Sequence, residues 1–122
     1  MLQNSLFTFT DIVIEDGIVK TNIKLNPAHP IFEGHFPGQP ILPGVCIIQI
    51  VKEILEAHMQ KPTRLITGNE VKFLAMIIPE QDKLIQLELK VEPIDQQIRI
   101  TAILFDGTSK LFKFKGIFEA IT

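Results

Sequence analysis

Apolar and polar residues alternate along two stretches near the amino terminus, residues 7–14 and 18–25. Alternation with a period of two is typical of strands that bury one face. Asp16 and Gly17 lie between the two stretches, and an Asp-Gly pair favours a two-residue turn because both residues tolerate positive φ. The pattern therefore predicts a β-hairpin.

The spacing of apolar residues becomes helical after residue 43. Five apolar side chains follow the i, i+3, i+4, i+7, i+8 spacing of a helical stripe: Ile47, Ile50, Val51, Ile54 and Leu55. Pro43 suits the first helical turn, where an N–H would have no partner, and Pro62 disfavours helix at the residue before it. We expect one helix over residues 43–60.

The remainder of the chain has the pattern of strands. Turn residues separate four such stretches: residues 64–78, 84–92, 97–105 and 110–121. A single long helix between groups of strands is buried most simply when an antiparallel sheet wraps around it. The sequence thus predicts one α+β domain over residues 1–122, with about five to seven strands.

Composition and charge exclude several classes of protein. The chain has 122 residues, 46% of them hydrophobic, and a net charge of -2 without a basic cluster, so a nucleic-acid partner is not expected. No apolar run reaches the roughly 20 residues that a membrane span needs. The single cysteine, Cys46, is expected to be a core residue, and the amino terminus lacks the layout of a signal peptide, which predicts a cytoplasmic location.

The segment between the hairpin and the helix is rich in proline, which restricts the backbone, and also contains glycine, which permits a wider range of φ. Five of the eight prolines and two of the seven glycines fall within residues 27–43. His35 has prolines on both sides, and Gly34 and Gly38 permit close approach or positive φ beside it. We expect an ordered, irregular loop that holds the His35 imidazole in place.

A second chemical feature lies just after this loop. Gly44 is placed in the first helical turn, where its N–H has no helical partner and the helix dipole is positive. A histidine that titrates near neutrality and such an N–H suit removal of a proton alpha to a carbonyl, with the enolate oxygen held by the N–H.

The string from Gly34 to Val45, GHFPGQPILPGV, resembles the signature of the (3R)-hydroxyacyl-acyl-carrier-protein dehydratases, which have the hot-dog fold. Residues 71–73 and 78–82 resemble the strand and turn that follow the helix in that family. The resemblance implies that His35 is the catalytic base and that the Gly44 N–H binds the thioester carbonyl.

The same resemblance implies an acyl chain on an acyl carrier protein as substrate, and a homodimer. No motif implies a metal or redox cofactor, and the spacing of the histidines with Glu33 matches no zinc site. The apolar residues expected to line the acyl channel surround the start of the helix: Phe36, Ile41, Leu42, Val45 and Ile48.

The chain departs from the family at one catalytic position. The family places Glu or Asp fourteen residues after the histidine, whereas this chain has Gln49. A primary amide forms hydrogen bonds but delivers no proton. Since a general acid contributes roughly 10²–10⁴-fold, its loss removes about 3–5 kcal/mol of transition-state stabilisation. A buried Gln49 could also simply bond a loop carbonyl.

Three alternatives account for the proton that the departing hydroxyl needs. Gln49 could orient the substrate hydroxyl while His35 performs both proton transfers. Glu53, one turn further along the helix, could act as a compensating acid, although a solvated position beside Lys52 and Glu56 is the simpler expectation. Because the family's sites form at dimer interfaces, a paralogue could also supply the carboxylate in a mixed dimer.

Three functions therefore remain. The first is a 3-hydroxyacyl thioester dehydratase of fatty acid, polyketide or polyene synthesis. The second is a non-catalytic subunit that binds an acyl carrier or completes a mixed dimer, and the third and weaker alternative is an acyl thioesterase. Lys110, Lys113 and Lys115, with Lys61 and Arg64, either attract an acidic carrier or, for the first three, protect an exposed edge strand.

Overall fold

Seven antiparallel strands and one long helix make up the fold. The computed structural model describes residues 1–34 and 38–121. The strands are β1 (Phe7–Phe9), β2 (Val13–Glu15), β3 (Ile18–Leu25), β4 (Thr63–Phe73), β5 (Leu84–Ile94), β6 (Gln97–Asp106) and β7 (Ser109–Ala120). They form one sheet in the order β1-β3-β5-β6-β7-β4, with β2 also paired to β3. The predicted α+β architecture is confirmed.

The long helix, α2 (Gly44–Met59), lies where the apolar stripe predicts it. Pro43 precedes it in extended conformation, and Gln60 ends it with a positive φ of 56° while donating its N–H to the Glu56 carbonyl. All five residues of the predicted stripe are buried. They join one core with buried sheet residues, which include Leu87, Leu89, Ile100, Phe112, Phe114 and Phe118.

The hairpin turn is confirmed, but the first predicted strand is interrupted. Glu15 pairs with Ile18 around Asp16 and Gly17, whose φ values are 52° and 78°. The single strand predicted over residues 7–14 is instead two short strands, β1 and β2, which residues 10–12 separate. At Thr10 the hydroxyl accepts the Asn22 N–H at 3.1 Å, so a side-chain oxygen replaces a backbone carbonyl as the acceptor of that N–H.

Two further predictions differ from the structure. The loop over residues 27–43 contains a short helix, α1 (Ile31–Gly34), whose Phe32 is buried. The strand predicted over residues 64–78 ends at Phe73. There the N–H groups of Leu74 and Ala75 both turn to the Leu111 carbonyl, which takes the chain out of the ladder.

The last strand is not an edge. β7 pairs with both β6 and β4, so the interpretation of its lysines as protection of an edge strand is wrong. Lys113 instead lies 3.7 Å from Glu70 of β4, and Arg64 pairs with Glu119 across the same two strands. Within the described ranges, no helix has the length and apolar character needed to cross a bilayer.

Candidate active site

His35 and Phe36 lie outside the described residues, so their roles as base and as channel residue stay predictions. The flanking chain is anchored on both sides. Phe32 of α1 packs into the core, and the Leu42 N–H donates to the Ile77 carbonyl at 2.8 Å. Gly38 has a φ of +76°, a conformation that favours glycine.

The amino terminus of α2 carries free hydrogen-bond donors. Gly44 is the first helical residue, and among the described residues neither its N–H nor that of Val45 has a hydrogen-bond partner. A Cβ on Gly44 would lie 2.5 Å from Cζ of Phe73, so only glycine fits under this ring. The Phe73 ring is itself held against Phe112, with the ring centroids 5.2 Å apart. Among the described residues, the backbone therefore presents a donor without a partner at the positive end of the helix.

An apolar pocket of about 470 Å³ opens at this donor. It is lined by Ile41, Leu42, Pro43, Gly44, Ile47 and residues 73–77. Its size and apolar walls suit an acyl chain, because ligand pockets of this kind bury apolar groups beside a few polar ones.

Two of the four described channel residues that the sequence predicts line the pocket. Ile41 and Leu42 line it, whereas Val45, which is 75% exposed, and the half-buried Ile48 do not. Their contact with substrate stays a prediction. Sequence reasoning missed Ile47, which the stripe assigned to the core alone, and residues 73–77, whose approach to the helix no local pattern signals.

Gln49 is bonded to a carboxylate, and no bond to a loop carbonyl is seen within the residues that the structure describes. Its Nε2 donates to Oε2 of Glu53 at 2.9 Å. Gln49 does not line the pocket at Gly44, since it lies about 140° around the helix from that residue. Within one chain, the predicted hydroxyl-binding side chain therefore starts from a different side of the helix than Gly44, and it does not line the pocket at Gly44.

Glu53 is buried, with 2% of its surface exposed, so the expectation of a solvated position is wrong. Its carboxylate accepts the N–H groups of Leu2 at 2.7 Å and Gln3 at 2.8 Å, besides the amide of Gln49. Burial alone would raise the pKa of Glu53, but these three hydrogen bonds and the positive amino terminus outweigh burial and lower that pKa. Glu53 is thus held as a hydrogen-bond acceptor, and the lowered pKa disfavours the role of compensating acid, which stays a prediction.

Two other candidates have structural explanations. Nδ1 of His29 accepts the N–H of Ile31 at 3.0 Å, which uses one ring nitrogen at the start of α1. Cys46 is half-buried, and burial raises the pKa of its thiol. A cysteine attacks as its thiolate, and a raised pKa disfavours that form. Cys46 is therefore disfavoured as a nucleophile.

Solved structures share this fold. The chain matches a protein of the dehydratase heterocomplex ApeI:P from Xenorhabdus doucetiae with a TM-score of 0.72 and 20% identity, covering 91% of this chain and 96% of that one. An HP0420 homologue from Helicobacter felis matches with a TM-score of 0.70 and 12% identity, covering 98% and 91%. At these identities the likeness concerns the hot-dog fold alone.

Curated relatives are closer in sequence. The 3-hydroxyacyl-[acyl-carrier-protein] dehydratase FabZ of Haemophilus influenzae is 35% identical over an alignment of 89 positions, which covers 66% of this chain and 56% of that protein. FabZ of Caulobacter vibrioides is 32% identical over 88 residues, 72% of this chain and 52% of that protein. The chain thus spans about half the length of these relatives. FabZ of Roseobacter denitrificans is 32% identical over an alignment of 117 positions, which covers 91% of this chain and 72% of that protein.

The family model of the ApeI dehydratase, named ApeI-like, matches residues 12–115. This match runs from the residue before β2 into β7 and includes the loop of His35, the helix of Gln49 and the pocket segment at residues 73–77. The chain therefore belongs to the ApeI-like dehydratase family.

Proposed function

We propose that this protein removes water from a 3-hydroxyacyl thioester carried by an acyl carrier protein, in fatty acid, polyketide or polyene synthesis. The observation that carries the proposal is the Gly44 N–H, which has no partner among the described residues and lies at the positive end of α2, on the wall of an apolar pocket of about 470 Å³. The thioester carbonyl oxygen accepts this N–H while the acyl chain occupies the pocket. Negative charge that develops on that oxygen is stabilised by a donor already in place.

The remaining steps balance without a cofactor. Neutral His35 takes a proton from the alpha carbon, the double bond forms between the alpha and beta carbons, and the beta C–O bond breaks. The departing hydroxyl takes a proton from the His35 imidazolium and leaves as water. Gln49 supplies only hydrogen bonds to that hydroxyl, since an amide cannot serve as the acid.

Mass spectrometry of a 3-hydroxyacyl carrier protein tests this function. Incubation with the purified protein is expected to produce a species lighter by one water. Release of the free acid, leaving the carrier thiol, would support the thioesterase alternative instead. An unchanged carrier would contradict a self-sufficient enzyme.

The subunit alternative is favoured by one observation, that the Gln49 position holds an amide bonded to an ionised carboxylate. In that case, water loss is absent for this chain alone and begins when a relative with a carboxylate at that position is added. The same mass measurement separates the two functions.

We propose further that two copies share the site through the β4 edge. Among the described strands, β4 pairs with β7 alone, which leaves its other edge open. Exposed apolar side chains lie on this strand and just after it: Leu65, Ile66, Val71, Phe73, Leu74 and Met76. An open edge with such residues favours pairing with another chain. Because Gln49 faces away from Gly44, its proposed substrate is the one bound at the partner's pocket.

Sedimentation of single variants checks this arrangement. Native protein is expected at twice the chain mass of 13.8 kDa, and Val71→Lys at the single mass, because a lysine would place charge in the interface. Ile14→Lys is the matched control, since Ile14 is an exposed apolar residue of β2 away from β4. A native protein that sediments as one chain would contradict the homodimer.

A further inference from the structure

Three hydrogen-bond donors converge on the buried carboxylate of Glu53. Oε1 accepts the N–H of Gln3, and Oε2 accepts both the N–H of Leu2 and Nε2 of Gln49. The two backbone donors come from a segment about fifty residues away in sequence, which packs across the helix. The Glu53 carboxylate is thus held in place by two donors that do not belong to the helix.

This arrangement selects one of the two orientations of the Gln49 amide. A carboxylate accepts hydrogen bonds but donates none, so Nε2 of Gln49 faces Glu53 and Oε1 is directed away from it. The reversed amide would place two acceptors against each other. In the part of the chain that the structure describes, no donor bonds Oε1 of Gln49. The free amide oxygen is therefore the group that Gln49 offers to a ligand.

We propose that Glu53 is a positioning residue, which holds the Gln49 amide so that Oε1 accepts the hydrogen of the substrate's 3-hydroxyl group. This inference rests on the proposed function. It gives a role to Gln49, which stands where the family has Glu or Asp. When Oε1 takes the hydroxyl hydrogen, the lone pairs of the hydroxyl oxygen are directed away from Gln49. In the proposed mechanism, these lone pairs receive the proton that the departing hydroxyl takes from His35.

Binding of two probes that differ only in the hydroxyl tests the proposal without any turnover. The probes are 3-hydroxyoctanoyl-pantetheine and octanoyl-pantetheine, with affinities measured by calorimetry on the native protein and on Glu53→Gln. Native protein is expected to prefer the hydroxylated probe by about fivefold, the effect of one hydrogen bond. In Glu53→Gln the amide orientation is no longer selected, and the preference is expected to fall to about twofold or less.

Glu56→Gln is the matched control. Glu56 lies on the same helix and accepts the Thr63 N–H at 2.7 Å, so its replacement also removes a charged tether between the helix and a distant segment. It does not contact Gln49, and the native preference is expected to persist. Equal losses in both variants would indicate a structural effect only and would overturn the proposal.

Amide resonances give a second measurement that does not depend on the probes. The side-chain NH₂ signals of Gln49, assigned by their absence in Gln49→Leu, are expected to move in Glu53→Gln and not in Glu56→Gln. If Glu53→Gln fails to fold, Glu53→Asp keeps the charge but withdraws it by one methylene, and an intermediate preference is expected. The positioning role would be refuted if native protein showed no preference for the hydroxylated probe, or if the Gln49 amide signals did not move in Glu53→Gln. Absence of water loss with an intact preference would refute only the proposed reaction.

Discussion

Replacing Gln49 by glutamate is expected to raise the rate of water loss by about 10²–10⁴-fold, the usual contribution of a general acid. The reason lies in the neighbour of Gln49. The new carboxyl would lie within hydrogen-bond distance of the Glu53 carboxylate, where the amide nitrogen now lies at 2.9 Å. Two carboxyl groups so close share one proton, which raises the pKa of one of them. The new side chain is thus expected to remain protonated and able to donate.

The pH dependence of this variant follows with a definite sign. The folded state raises the pKa of the new carboxyl above the unfolded value of about 4.3, so the folded protein binds more protons there. Stability relative to native protein is therefore highest below that unfolded value and falls as the pH rises through the raised pKa. Activity is expected to fall in the same direction, since the acid loses its proton.

Stopped-flow or mass measurement of water loss, with thermal unfolding over pH, checks both expectations. The double variant Gln49→Glu with Glu53→Gln is the control, because an amide neighbour does not force proton sharing. It is expected to be less active than the single variant at neutral pH. A single variant no faster than native protein would contradict the role of this position in proton delivery.

Replacing His35 by alanine is expected to reduce water loss by at least about 10²–10⁴-fold, because both proposed proton transfers pass through its imidazole. The variant should still bind octanoyl-pantetheine, since the described pocket wall is formed by Ile41, Leu42 and residues 73–77.

His58→Ala is the matched control for this experiment. His58 lies in the last turn of α2, at the opposite end of the helix from Gly44, and its loss is expected to leave the rate unchanged. Substantial water loss by His35→Ala, with binding retained, would place the base elsewhere and would remove the basis of the proposed mechanism.

The assignment of Gln49 affects both predictions. If the chain works alone, the amide position limits the native rate, and the glutamate variant reveals an otherwise complete site. If the chain works in a mixed dimer, the native homodimer is slow because its partner carboxylate is missing. The rate of the glutamate variant without any added relative distinguishes these two situations.

The amino-acid sequence by itself determined the local elements of this protein. The apolar stripe and Pro43 placed α2 to within one residue at each end, and the Asp16-Gly17 pair placed the first turn. These features depend on φ preferences and on burial with a fixed period, which involve residues only a few positions apart. The loop signature also indicated the dehydratase family, which the family match confirms.

Only the tertiary structure decided the environment of the site. The pattern around Glu53 favours solvent, yet the amino-terminal segment covers it and supplies Leu2 and Gln3 as donors. In the same way, the Phe73 ring at the end of β4 lies over Gly44, twenty-nine positions earlier in the chain. Such contacts join residues up to fifty-one positions apart, and they depend on the path of the whole chain. Residue periodicity describes which face is buried, but it does not describe which distant segment covers that face.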